Sequence, residues 1–452
     1  LGFIVLTARR GAHLALGTRT VCALILRPNT RQRSRSCPTS TLSKSFQNRR
    51  MVIKRASEAM RGSSVRWWAA LHRHTPGRRV PPVSKISVLM SDDELLQHAV
   101  ELGRKLSAQR HAEFAPSLQD DLASSEATLR RTYRLASEAN AQNRALEPAA
   151  VWLLDNFYLL EGHLREAHAG IDEWRHQRWP GSIGPDNDFA PRLLTLLREL
   201  VLRCDGRVTK PLLHKFISAC QQGGWLSLAE LWAVPLMLRL AAFEHLRPVA
   251  SGVEVRLRDT AQAAALAERL RALAQAGPTE LLRALALSQD QVEMDSSAWI
   301  AEFNRRIQPD GSGLRLVQVW LEQQLRGRQQ SIETALLRQS RAQALAQVSA
   351  SQCIASLRRI ERTHWLEFVD AQSEVEAILR RDPAAVYAQM DATTRNQYRD
   401  AVAFLSAHSD TDECAVAQHV VALAAADAQS RDRQDHDRTH HVGYWLIGAG
   451  RP

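Results

Sequence analysis

The most informative thing about this 452-residue chain is what it does not contain. No G-x-x-x-x-G-K-[ST], strand-borne G-x-G-x-x-G, G-x-S-x-G or H-E-x-x-H occurs, so the usual phosphate cradles, nucleophile elbows and helical zinc sites are missing. Six cysteines (Cys22, Cys37, Cys204, Cys220, Cys353 and Cys414) are scattered without a C-x-x-C pair. That excludes a recognisable disulfide framework or zinc knuckle and leaves buried free thiols in a reducing compartment as the expectation. No uninterrupted apolar run of about 18 residues exists. The nearest candidate, "LAELWAVPLMLRLAAFEHL" from Leu228, carries Glu230, Arg239 and Glu244 and reads as a core helix. Glycine, tyrosine and phenylalanine are sparse, and no Val/Ile/Thr alternation of strand type appears.

Acidic residues are almost missing from one segment. Residues 1–90 hold 18 Lys+Arg and one acid, Glu58, leaving 41 basic against 47 acidic residues in the remainder. The net charge of +11 therefore belongs to one stretch, and no nucleic-acid partner is expected for the body. "RPNTRQRSRSCPTSTLSKSFQNRR" has the composition of a disordered basic arm or a transit peptide. An over-extended translation of an upstream region is the preferred reading for 1–89, because Met90 opens the first well-formed helix. RNA or anionic lipid binding through Trp67, Trp68 and the arginines ranks below it.

What is present is helical. Ser91 and Glu94 form a capping box before "DDELLQHAVELGRKL", and Ser227 and Glu230 form another. Pro148 suits a first helical position, and Leu153, Phe157, Leu160 and Leu164 then make one continuous face. Asp155 and Asn156 interrupt that apolar stretch and are expected to hydrogen-bond a neighbouring element. A Gly/Pro-rich break, "RWPGSIGPDNDFAP", is followed by a helix from Pro191 that Asp205-Gly206 stops. Thr209 opens the next helix, through Cys220. Pro235 is expected to kink its helix, and a separate helix, "DTAQAAALAERLRALAQAG", lies beyond Pro248 and ends at Gly277. Thr279, Asp382 and Asp391 read as caps, and a long helix starts near Leu314. The fold class is all-α, a multi-helix bundle or array over 91–442, with the basic arm at 1–90 and a short last segment at 443–452. No fixed repeat period supports a solenoid.

Candidate chemistry is thin. Asp186/Asp188, Asp410/Asp412 and Asp435/Asp437 are D-x-D pairs of the kind that hold Mg²⁺ or Mn²⁺ against a diphosphate. Outside an α/β domain they read better as chance and capping. His436 and His440 share helical spacing but lack a third ligand, His441 lies beside them, and the segment reads as solvated. His163 and His168 read as surface or edge residues. No catalytic, cofactor-binding or metal-binding residue is assigned.

Five ordered segments resemble one family. "PAAVWLLDNFYLLEGHLRE", "PRLLTLLRELVLRCDGRVTKPLLHKFISACQ", "LSLAELWAVPLMLRLAAFEHLRPVA", "WLEFVDAQSEVEAILRRDPAAVYAQMDATTRNQYRDAV" and "HVGYWLIGAGRP" are similar to the N-terminal region of cyclic β-1,2-glucan synthases, which are bacterial inner-membrane glucosyltransferases. Ala229 stands where that family usually has glycine, and the match weakens between His168 and Ala190. The resemblance, over roughly Leu122 to Pro452, implies the helical cytoplasmic head of a much larger membrane enzyme. In that family UDP-glucose, with a divalent metal, is the glucosyl donor, and the transferase and transmembrane modules lie beyond the matching part. Those modules and a growing glucan are the implied partners; no catalytic residue is carried over. The alternative is a free-standing helical scaffold or adaptor. Reading the DNA beyond the Pro452 codon and before Met90 would separate truncation, frameshift and independent gene, and identify the start codon.

Overall fold

The computed structural model describes residues 89–450 apart from 108–109, 113–115, 184–188, 289–295, 309–313, 410 and 430–438. The expected basic arm and the pairs Asp186/Asp188 and Asp435/Asp437 lie outside the described residues, as do Asp410 and His436. All described residues fall within one compact unit, Ala59–Pro452. They form sixteen α-helices and one small sheet, so the chain is all-α.

The first helix, α1 (Asp92–Lys105), has both halves of its capping box: the Glu94 N–H donates to Ser91 Oγ, and the Ser91 N–H donates to Glu94 Oε2 at 2.9 Å. Next come α2 (Pro116–Ala141), α3 (Pro148–Asp155) and α4 (Phe157–Glu173). The stretch expected as one helix from Pro148 is thus two, broken at Asn156, whose φ of −112° and ψ of 13° leave the helical region. Leu153, Leu160 and Leu164 remain buried on one side because the break preserves their facing. Asn156 is buried, and Asp155 is exposed.

The Gly/Pro-rich break contains strands that its composition concealed. β1 (Arg110–Ala112), β2 (Trp179–Ile183) and β3 (Phe189–Pro191) pair antiparallel in that order, with Gly181 opposite both Arg110 and Pro191. Strands of three to five residues are too short to show an alternation. What holds them is Trp179, fully buried and 5.4 Å from the Trp174 ring. Gly181 allows the approach, since a Cβ there would meet the Ala190 carbonyl and the Phe189 ring.

The helices α5 (Arg192–Arg203) and α6 (Lys210–Gln221) follow as expected, the second capped by Thr209. Then α7 runs unbroken for 49 residues, Leu228–Ala276, through both Pro235 and Pro248. The expected division at Pro248 is absent. An interior proline costs roughly 3 kcal/mol, but Leu246, Pro248, Val249, Ala250 and Val253 are all buried. Burying each large aliphatic side chain returns about 1.5–3 kcal/mol, so packing outweighs the local penalty. The start of α7 is fastened firmly. Glu230 completes the box with Ser227, takes two hydrogen bonds of 2.7 Å from Arg192, and Glu413 accepts the Leu228 N–H at 2.8 Å.

Gly277 ends α7, and α8 (Pro278–Ser288) begins at its proline, which puts Thr279 inside the first turn instead of at the cap. α9 (Ser297–Ile307) and α10 (Leu314–Gly327) lead to α11 (Ile332–Arg362), so the long helix expected from Leu314 is two. The series closes with α12 (Trp365–Gln372), α13 (Glu374–Leu379), α14 (Ala392–Ala407), α15 (Glu413–Gln429) and α16 (Val442–Leu446).

Two apolar cores result. The larger unites α1–α6, the first half of α7, the second half of α11 and the helices after it. The smaller gathers Ala263, Ala267 and Leu270 of α7 with α8–α10 and Ala335 of α11. Trp299 and Phe303 stack at 4.6 Å within it. The long helices α7 and α11 belong to both cores.

Candidate functional site

The densest buried polar chemistry lies among α12, α13, α14 and α16. Arg395 and Arg399, one helical turn apart on α14, face two carboxylates presented by the preceding short helices. Asp370 of α12 accepts from Arg395 Nη2 at 2.6 Å and from Arg399 Nη1. Glu376 of α13 accepts from Arg399 Nη1 at 3.0 Å, from Arg380 Nε at 3.0 Å and from the Tyr387 hydroxyl at 2.7 Å. Arg399 is 0% exposed and Glu376 1%. Burial by itself would raise the Asp370 carboxyl, but hydrogen bonds from Arg399 and Arg395 outweigh it and hold the group below the usual carboxylate range. Burial, and then the bond to Glu376, push the Tyr387 phenol far above its ordinary value.

Beside this network runs a carboxylate–imidazole–phenol chain. Asp382 Oδ2 lies 2.8 Å from His441 Nδ1, and His441 Nε2 lies 3.1 Å from the Tyr398 hydroxyl. The carboxylate assigns the proton to Nδ1, which leaves Nε2 to accept from the phenol. Asp382 also accepts the N–H groups of Val386 and Tyr387 at 3.2 Å and that of Val442 at 3.1 Å. Burial works against its ionisation, yet the His441 bond and these amides keep its pKa low. Gly443 makes the arrangement possible, because a Cβ at this position would run into the Tyr398 hydroxyl and come within 2.8 Å of His441 Nε2.

The same order of groups activates a nucleophile in hydrolases. Here the hydroxyl is buried, and burial raises the Tyr398 pKa instead of lowering it. Gly443 stands so close that a Cβ there would collide with the hydroxyl. The clefts of about 620 and 470 Å³ are lined by other residues. The chain of groups works as a latch that fastens α16 to α14 and to the turn after α13.

Asp382, expected to cap a helix, serves this latch and the short 3₁₀ turn Tyr387–Gln389. Asp391 caps α14 as expected, accepting from the Thr394 N–H at 3.0 Å. Asp412 accepts the Ala415 N–H at 2.8 Å, a capping contact. His441, read as part of a solvated segment, is instead held between Asp382 and Tyr398. The Asp382–His441 pairing spans 59 residues, and no local pattern announces it.

His163 departs most from expectation. It is fully buried, not superficial, with Nδ1 accepting from Arg239 Nε at 3.2 Å and Nε2 3.4 Å from Glu361. Burial and the Arg239 charge lower its pKa, so the neutral ring is favoured. His168, by contrast, is partly exposed and lies 2.9 Å from Glu126. The described cysteines, Cys204, Cys220, Cys353 and Cys414, are free, and burial pushes the first two thiols up to about 12. Such thiols are poor nucleophiles. Among the described residues no group of three His, Cys, Asp or Glu could hold a metal ion, and no helix is long and apolar enough to cross a membrane.

No family model matches the chain. It is similar, however, to the cyclic beta-(1,2)-glucan synthase NdvB of Rhizobium meliloti (strain 1021), with 27% identity over 370 residues. The match takes in 81% of this chain and 13% of that relative's length. Identity sustained over this length, together with the five ordered segments, shows that the chain is related to the cyclic β-1,2-glucan synthases.

Proposed function

We propose that this chain is the non-catalytic helical portion of a cyclic β-1,2-glucan synthase, one that packs against the transferase part of the enzyme and supports its growing product. The observation that carries the reading is the latch. Two of the segments that resemble the family, Trp365–Val402 and the one containing His441–Trp445, are the ones that interlock through Glu376, Arg399, Asp382 and His441. A buried ionic network is by itself weak evidence of added stability, and the role proposed for this one is to select a single arrangement of the helices. Fixing the direction in which α16 leaves the body is useful to a support module and irrelevant to an isolated catalyst. The proposed location is the cytoplasmic face of the bacterial inner membrane, with UDP-glucose and its divalent metal handled elsewhere in the enzyme.

The test is to supply this chain to a membrane preparation that carries the transferase and transmembrane modules without their helical head. Restored synthesis of cyclic glucan from UDP-glucose supports the reading, and the purified chain alone should release no UDP from UDP-glucose with Mg²⁺ or Mn²⁺. Turnover by the chain alone, or failure to associate with those modules, sinks it. A free-standing adaptor is the second reading. It is favoured by exposed apolar side chains on the helices around the smaller core, among them Leu287 of α8, Val319 of α10 and Leu337 of α11.

A further inference from the structure

A cleft of about 620 Å³ opens between α2 and α4, well away in sequence from the latch. Arg130, Arg131 and Arg134 line it from α2, and Glu161 lines it from α4. Its remaining wall includes Tyr133 and Phe157, whose rings stack at 4.1 Å. Three guanidinium groups thus share the lining with one carboxylate.

The surrounding acids are already engaged. Arg130 is positioned by Glu126 at 2.8 Å and Glu161 at 2.9 Å, and Glu126 also lies 2.9 Å from His168. Arg131 reaches Glu254 at 3.4 Å and Thr128 at 3.2 Å, while Glu254 is held closer, at 2.5 Å, by Arg258. Arg134 has no carboxylate partner among the described residues, although it lines the same cleft. Two arginines are therefore fixed in place and a third is left with its donors open.

A guanidinium fork matches the oxygens of a phosphate better than any neutral group, through paired charge-assisted hydrogen bonds. A neutral sugar would leave the Arg134 charge uncompensated, and a lone carboxylate has only two oxygens to offer the three guanidinium groups. A phosphate, as a monoester or a diester, brings negative charge together with further acceptor oxygens. The volume suits a small ligand. Tyr158, 69% exposed, follows Phe157 directly on α4. Exposed aromatic rings of this kind also settle at the headgroup level of a bilayer. We propose that the α2–α4 cleft binds a phosphate group, carried either by a free phosphate compound or by a lipid headgroup. This site does not depend on the support role.

The experiment uses the full chain at low ionic strength with two probes. One is inorganic pyrophosphate, followed by titration calorimetry. The other is phosphatidylcholine vesicles with and without phosphatidylglycerol, followed by co-sedimentation. Arg134→Gln is compared with Arg326→Gln, an exposed arginine on α10 remote from the cleft lining. The basic N-terminal segment is common to both variants and cancels in the comparison. Arg134→Gln should weaken binding of at least one probe by about fivefold or more, with an unchanged melting temperature and with Arg326→Gln like the parent. An effect on pyrophosphate alone assigns a soluble ligand, and an effect on phosphatidylglycerol vesicles alone assigns a headgroup. Equal losses in the two variants, or no binding of either probe, would overturn the site.

Discussion

Arg358 of α11 donates a hydrogen bond to the side-chain carbonyl of Asn156, at the point where α3 gives way to α4. The Asn156 amide turns back to donate to the Trp152 carbonyl at 2.8 Å, which the broken helix leaves partly free. One buried amide therefore both satisfies the break and ties it to a helix some 200 residues away in sequence. Its neighbour Asp155 faces solvent.

The two residues should respond differently to removal. Asn156→Ala strands the Arg358 donor and leaves the Trp152 carbonyl with only the backbone N–H of residue 156, and is expected to cost about 1–3 kcal/mol. Asp155→Ala should fall within about 0.5 kcal/mol of the parent. Urea midpoints of the two variants decide this, and equal midpoints would mean that the break is held by apolar packing alone.

Gly443→Ala should unfasten α16. The added Cβ has no room beside the Tyr398 hydroxyl, so the His441 ring or the α16 backbone must move. Limited proteolysis should then cut within the last helix while the rest of the chain stays resistant. His441→Ala, which leaves Asp382 buried beside unpaired space, should give the same pattern.

The ionic network should show the asymmetry of buried pairs. Removing one partner, as in Arg399→Met, takes the fully buried guanidinium from both Glu376 and Asp370, leaving them Arg380 and Arg395, and is expected to cost about 3–5 kcal/mol. Adding Glu376→Leu to that variant should recover part of the loss, because a smaller set of charges is then left desolvated. A double variant less stable than Arg399→Met would show that the Tyr387 and Arg380 contacts to Glu376 dominate.

Glu413 carries a pH dependence of definite sign. Burial raises its pKa from 4.5 to about 6, with Glu230 and Asp412 adding to the effect and the Leu228 N–H opposing it. The folded state thus favours the protonated carboxyl. Its stabilisation is fully present below pH 4.5 and is lost as pH rises through about 6. Glu413→Gln keeps an acceptor for Leu228 and cannot ionise, so it should melt higher than the parent at pH 7.5 and level with it at pH 4. Asp370 and Asp382 work in the opposite direction, since their pKa values are depressed. Their contribution is present above the ordinary aspartate value of 3.8 and is lost as pH falls through their lower folded values. Melting curves of both chains between pH 3 and 8 test this.

Features read correctly from the residues are those closed by short-range contacts. Ser91 with Glu94, Ser227 with Glu230 and Asp391 with Thr394 each lie three residues apart, so composition and spacing suffice. The features missed are decided by distant neighbours. Pro248 ends a helix on local grounds and continues one here because its surroundings are buried. His441 looks solvated until Asp382 and Tyr398, 59 and 43 residues earlier, are brought against it. His163 has the spacing of a surface residue, yet Arg239 and Glu361 from two other helices close over it. The short strands at Trp179 and Phe189 depend on the buried indole more than on any pattern of their own.

The unbroken α7 has a mechanical consequence. At about 1.5 Å of rise per residue, its 49 residues span roughly 70 Å. The first half is clamped on nearly every side, whereas the second half carries the smaller core at its far end. Such a beam acts as a lever: a tilt of about 5° at the end of the clamped half would displace the tip of the other half, roughly 35 Å long, by roughly 3 Å. Because α11 joins the same two cores, the tip cannot swing alone. It must carry Trp299, Phe303 and Trp320 with it as one weight. A partner that gripped only the smaller core would feel small adjustments around the latch as large displacements.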